Sequence, residues 1–154
     1  MPDQCKIQEV RSSITYCRRF HTTEANLAGE LKHQMPLLQK TVFSSGVTMA
    51  GYPFVCFHNM DLSNWDIEIA VPISAPLPVT ADYTIGLFPG GMMATTMHRG
   101  ALQELRFSYE RLVNWMAEHK HPICGPVYEI FMNDPRELPP DQIYAGLMIP
   151  TRRS

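Results

Sequence analysis

The chain has 154 residues, 45% of them hydrophobic and 18% charged, with a formal net charge of −2. That length makes one ordinary domain, able to bury about two-thirds of the surface its unfolded form exposes, so neither a metal nor a disulfide staple is required. The near-neutral balance leaves no footprint for nucleic acid or an anionic membrane: the only basic pairs are Arg18-Arg19 and Arg152-Arg153, which do not form a stripe.

The start, Met1 to Glu9, is polar. No stretch approaches the roughly 18 apolar residues of a membrane span, so a soluble cytoplasmic protein is expected. Cys5, Cys17, Cys56 and Cys124 show neither Cys-x-x-Cys spacing nor a disulfide framework, which fits reduced thiols. His119, His121 and Cys124 offer three zinc-competent side chains in six residues, but structural zinc sites close with four ligands. A Cys124 nucleophile beside His121 lacks an orienting third group. No metal and no cofactor are expected.

A first helix is expected from about Thr23 to Phe43, where Leu27, Leu31, Met35, Leu38 and Val42 mark one amphipathic face. Pro36 falls inside that stripe and predicts a kink or a late start. Strands follow at Gly51–Asn59 and around Trp65–Ile73. The prolines of Ser74-Ala75-Pro76-Leu77-Pro78 then favour an extended connector. Tyr83–Phe88 and Met92–His98 flank Pro89-Gly90-Gly91, which reads as a hairpin; a strand rather than a helix follows these glycines, so a phosphate loop is not expected. The second helix runs from about Ala101 to His119, and the last strands are Gly125–Pro135 and Leu147–Thr151.

The second half echoes the first. Shifting the first stripe by 74 residues gives Ala101, Leu105, Tyr109, Leu112 and Met116, and the same shift carries Gly51 onto Gly125. Pro72 answers Pro150 at a shift of 78, which places four extra residues in the turn-rich segment Asp134–Asp141. The expected fold is α+β: a tandem strand-helix-strand-strand repeat, about 1–75 and 79–154, within one domain. Pseudo-twofold symmetry would place antiparallel sheets with two long helices on one side and leave a ligand groove between the repeats.

Glu129 lies in the most apolar strand, with Val127 and Phe131 on its own face and Tyr128, Ile130 and Met132 on the other. No cation is near it in sequence. Withdrawing an ionised carboxylate from water costs several kcal/mol unless a partner compensates, so such a group is paired, protonated or reserved for a ligand.

The doubled unit resembles the GyrI-like small-molecule-binding family, also found as the effector-binding domain of AraC-type and MerR-type multidrug regulators. So do His98-Arg99-Gly100, then Tyr109, Leu112 and Trp115, and then Gly125-Pro126, Tyr128-Glu129, Phe131, Asn133-Asp134-Pro135 and Ile149-Pro150. Gly51, Pro53-Phe54, Trp65-Asp66-Ile67-Glu68 and Val71-Pro72 echo the pattern in the first half. The resemblance implies that Glu129 sits at the base of an apolar, aromatic pocket and pairs with a lipophilic cation. Ligand-facing candidates are Glu129, Phe131, Val127, Trp65, Phe54, Tyr16, Phe88, Met97, Tyr144 and Glu68. Against this, Glu129 would serve equally well in an internal ion pair, and Trp115 and Tyr109 fit core packing.

The resemblance implies a stand-alone binder of hydrophobic cationic molecules, with no direct nucleic-acid or membrane partner and with a homodimer or a regulatory protein as the macromolecular partners to consider. One alternative is a hydrolase that detoxifies cyclopropane-bearing DNA-alkylating compounds with Glu129 as its catalytic group. Another is a gyrase-inhibitor-like protein acting through protein contact.

Overall fold

The computed structural model describes residues 4–100, 104–132 and 143–152. Its elements run β1 (Lys6–Val10), β2 (Ser13–Thr22), α1 (Glu24–Ser45), β3 (Phe54–Phe57), β4 (Trp65–Pro72), β5 (Thr84–Phe88), β6 (Gly91–Gly100), α2 (Leu105–Glu118), β7 (Val127–Phe131) and β8 (Ile143–Pro150). The class is α+β, with antiparallel strand pairings throughout. The start of the second helix at Ala101 and the loop Asp134–Asp141 lie outside the described residues. No helix among the described residues is long and apolar enough to cross a membrane.

Two compact units are distinguished. The N-terminal unit, Ser12–Pro89, has the strand order β3-β4-β2-β5. Alternation along β4 sends Trp65, Ile67, Ile69 and Val71 to the face that α1 covers, where the Trp65 indole donates to Glu24 and Arg18 donates to Gln34 of the helix. Only Leu38 and Val42 of the α1 stripe are fully buried; Leu27, Leu31 and Met35 are partly covered. The helix continues through Pro36 rather than beginning after it, and it ends at Gly46, whose φ of 82° is the left-handed turn that glycine adopts at little cost.

The C-terminal unit comprises Gly90–Ser154 together with Met1–Arg11, in the order β1-β6-β8-β7. Here α2 buries Leu105, Leu112 and Met116, as its periodicity predicts, along with Ser108. Ser108 Oγ hydrogen-bonds His98 Nδ1 at 2.8 Å, so a polar residue on the buried face has a partner. The helix stops where Lys120 takes φ 60°: its N–H donates to the Ala117 carbonyl and the His121 N–H to the Met116 carbonyl, which together close a Schellman-type end.

The segment read as a hairpin is not one. β5 pairs with β2, whereas β6 pairs with β1 and β8, so Pro89-Gly90 links strands of different units. Gly91 does take a positive φ of 116°, but neither flanking strand pairs with the other.

Both units use the same glycine-proline device. A side chain at Gly51 would meet Pro72 Cγ at 3.3 Å and one at Gly125 would meet Pro150 Cγ at 2.9 Å, while Ala50 and Cys124 each donate a backbone hydrogen bond of 2.8 Å to those prolines' carbonyls. The following registers correspond as well: Phe54 pairs with Ala70, and Tyr128 with Met148.

The α2 layer yields a stability prediction. Leu112 is fully buried, so Leu112→Ala should cost about 2–5 kcal/mol in denaturant unfolding. A loss below about 1 kcal/mol would show that α2 is not packed on its sheet as described.

Candidate functional site

In β7, Glu129 stands opposite Leu147, which in turn stands opposite Thr96, forming one row across three strands of the C-terminal unit. The α2 side chain Arg111 donates to Thr96 Oγ1 at 3.0 Å, which places this row on the helix-covered face. Val127, Phe131 and Leu147 surround the carboxyl with apolar side chains that are 8%, 9% and 1% exposed. Glu129 itself is only half-buried, although its strand neighbours on both sides are buried.

Among the described residues no charge offsets the glutamate. Among the described residues the ion pairs are Arg18 with Asp82, Arg19 with Asp66 and His58 with Glu68, and no hydrogen bond reaches the Glu129 side chain. The cation nearest in the row is Arg111, whose attachment point Thr96 is two strands away, about 10 Å. Its guanidinium is committed to Thr96 and to the Met97 carbonyl. Burial alone therefore acts on Glu129 and pushes its pKa from 4.5 up to about 7.

The other candidates divide by face and by unit. Met97 and Tyr144 share the C-terminal unit but, by register, lie on the opposite sheet face from Glu129: Met97 pairs with Gly146, beside Ile130, and Tyr144 pairs with Arg99, which stacks over its ring at 4.5 Å. Tyr16 and Trp65 lie on the α1 side of the N-terminal sheet. Tyr16 donates its hydroxyl to the Pro78 carbonyl at 2.6 Å, and Trp65 donates its indole N–H to Glu24 Oε2 at 2.7 Å while its ring meets Phe57 edge-on. Phe54, Phe88 and Glu68 share the other face, where the two phenyl rings lie 5.3 Å apart.

Three residues that sequence reasoning passed over accompany Glu68. His58 Nε2 lies 2.9 Å from Glu68 Oε1, and Cys17 and Thr15 approach from β2. Only strand register brings them together, and no spacing in the sequence signals it. Burial, with help from the nearby Glu68 carboxylate, pushes the Cys17 thiol up to about 12, so it is not a thiolate nucleophile.

Trp115 belongs neither to the core nor to the Glu129 row. It stacks on His119 and His121 at 4.7 and 5.3 Å and borders an open hollow of about 710 Å³ together with Phe107, Glu110 and Glu118; no expected site residue lines that hollow. His119, His121 and Cys124 form no metal group: among the described residues no three His, Cys, Asp or Glu side chains are placed to hold an ion.

The residues from 18 to 152 match the family described as the GyrI-like small molecule binding domain. The chain belongs to that family. The EcmrR C-terminal domain shares the fold with a TM-score of 0.89 at 18% identity, over 100% of each chain. The same fold recurs in EcmrR bound to DNA, where this chain spans 59% of the other's length. Further neighbours in fold are a hydrolase encoded by lin2189 from Listeria innocua (TM-score 0.66, 12% identity, 97% and 93% of the two chains) and SAV2435 bound to tetraphenylphosphonium (TM-score 0.66, 11% identity, 97% and 94%). No curated protein matches.

The raised carboxyl has a measurable signature. Folded, Glu129 keeps its proton up to about pH 7; unfolded, it releases it near 4.5, so its contribution to stability falls as pH rises between these values and is flat above them. Glu129→Gln removes this dependence. From about pH 4 to about pH 8 the variant should gain up to about 3 kcal/mol on wild type in unfolding free energy. A constant difference between the two proteins across that range would show that Glu129 is ordinarily solvated.

Proposed function

We propose that this chain is an effector-binding domain for lipophilic cationic molecules, with Glu129 as the counter-charge that the ligand meets. The supporting observation is a carboxyl group in an apolar row, partly open to solvent, with burial raising its pKa and no cation beside it among the described residues. A cation arriving there replaces lost hydration with a direct charge partner in a medium less screened than water. Phe131 beside Glu129 adds an aromatic surface, and a cation over such a ring gains roughly 0.5–2 kcal/mol. SAV2435, which shares the fold, was solved with tetraphenylphosphonium, a cation of this kind. The corresponding registers and glycine-proline contacts support reading the two halves as copies of one strand-helix-strand-strand unit.

Hydrolysis is the second reading, favoured by one observation: a carboxyl titrating near neutrality suits a group that takes and returns a proton. The two tryptophans do not add to it. Trp65 spends its N–H on Glu24, and Trp115 stacks on histidines at the surface. Binding remains the reading with more support.

Titration calorimetry distinguishes charge recognition from shape recognition. Glu129→Gln should weaken tetraphenylphosphonium at least tenfold and leave the neutral triphenylphosphine oxide within about twofold, the difference reflecting one lost charge partner. Equal loss for both compounds would sink the charge-pairing reading. Affinity of the wild type for the cation should also rise through about pH 7, because the ligand pays for deprotonation below that point. Turnover of an electrophilic cyclopropane by wild type but not by Glu129→Gln would move the assignment to hydrolysis.

A further inference from the structure

Helix spacing leaves Arg111 without an acid. The positions three and four residues away, which share its side of α2, are Phe107, Ser108, Asn114 and Trp115, while the adjacent Glu110 does not face it. Among the described residues no carboxylate lies within ion-pair distance of the guanidinium. Nη2 donates to Thr96 Oγ1 at 3.0 Å and to the Met97 carbonyl at 3.1 Å, which fixes the group against β6. Nε is shielded from water and has no acceptor. Nη1 differs: it makes no hydrogen bond among the described residues yet is open to solvent.

Arg111 lines the open hollow of about 710 Å³ beside α2, whose other wall is Gln4 and Cys5, just ahead of β1. Phe107 and Trp115 stand about one helical turn to either side of it and supply aromatic surface. Phe107 is 55% exposed, and the indole is backed by His119 and His121. Asn114, exposed on the same stretch, adds an amide donor. Glu110 and Glu118 also line the hollow. Both are exposed, so water weakens their opposition to an anion, and Arg106 over the Phe107 ring at 5.0 Å brings a second positive charge to that end.

We propose that this hollow binds flat aromatic carboxylates, with the carboxylate on Arg111 Nη1 and Asn114 Nδ2 and the ring against the Trp115 indole. Guanidinium and carboxylate match in shape as well as charge, and a hydrogen bond between them is roughly twice as strong as a neutral one. Thr96 and the Met97 carbonyl already hold the cation, so binding does not have to order it. The ligand has the opposite charge from the one assigned to the Glu129 row. None of Val127, Glu129, Phe131 and Leu147 lines the hollow, so neither proposal depends on the other.

2-Naphthoate is the probe, titrated calorimetrically into the full chain, with 2-naphthalenemethanol as its neutral counterpart. Arg111→Met should weaken the naphthoate tenfold or more and leave the alcohol within about twofold, since one charge-assisted hydrogen bond is lost. Asn114→Asp and Glu110→Gln change the charge at exposed positions and leave the anchor in place. The first should weaken the naphthoate about fivefold and the second strengthen it about twofold. These two variants decide the matter if Arg111→Met fails to fold. No saturable binding up to about 10 mM overturns the proposal, as does unchanged naphthoate affinity in folded Arg111→Met or a shift of the other two variants in the same direction. A change of more than about twofold in Glu129→Gln would place the anion in the Glu129 row and would also overturn it. So would tighter binding of 2-naphthylmethylammonium than of the naphthoate, lost in Glu110→Gln, because the glutamates would then rule the hollow. Failure of tetraphenylphosphonium alone leaves this site standing and removes only the Glu129 reading.

Discussion

A carboxyl group on one sheet face with Val127, Phe131 and Leu147, with no positive charge beside it among the described residues, depends on the strand register of the whole C-terminal unit. The row Glu129–Leu147–Thr96 exists because β7, β8 and β6 pair in one antiparallel register, and a slip of one residue would turn the carboxyl to the other face. The nearest guanidinium in the row is anchored elsewhere by two hydrogen bonds. Desolvation thus goes unopposed. In an inert core this would be a defect to be removed by substitution. In a member of a small-molecule-binding family it is the group on which we rest the proposed cation site.

The N-terminal sheet solves a similar problem in another way. Glu68 has an imidazole at 2.9 Å, so its charge is partly answered from within, and its environment is polar rather than oily. Two carboxylates in one chain therefore sit in different surroundings: one has apolar neighbours on its sheet face, the other an imidazole. Register again separates them from their sequence neighbours. Glu68 faces away from α1, whereas Ile67 and Ile69 on either side of it are packed beneath the helix.

Much of this architecture was legible before any coordinates. The period of the α2 stripe marked Leu105, Leu112 and Met116, and the repeat offsets marked Gly51 with Gly125 and Pro72 with Pro150, because both signals are read along the chain itself. Glu129 stood out for the same reason: a charged residue in an apolar strand is visible in one dimension. Pairing partners were not. Pro89-Gly90-Gly91 has the composition of a hairpin turn, yet long-range ladders claim both flanking strands. Met97, Tyr144 and Trp65 were plausible by type, but their faces and hydrogen bonds depend on strand register that no spacing reveals. The cluster of Thr15, Cys17, His58 and Glu68 was invisible for that reason too.

The strand allegiance of β1 has a consequence for how the chain matures. Lys6–Val10 lies against Gly91–Thr95, so this strand has no partner on the ribosome until the strand that begins at Gly91 has been made. Meanwhile Ser12–Pro89 already contains every strand that its own sheet requires. Vectorial synthesis thus favours an order in which the middle of the sequence settles first. β1 then serves as a late clasp on the edge of β6 that β8 does not cover.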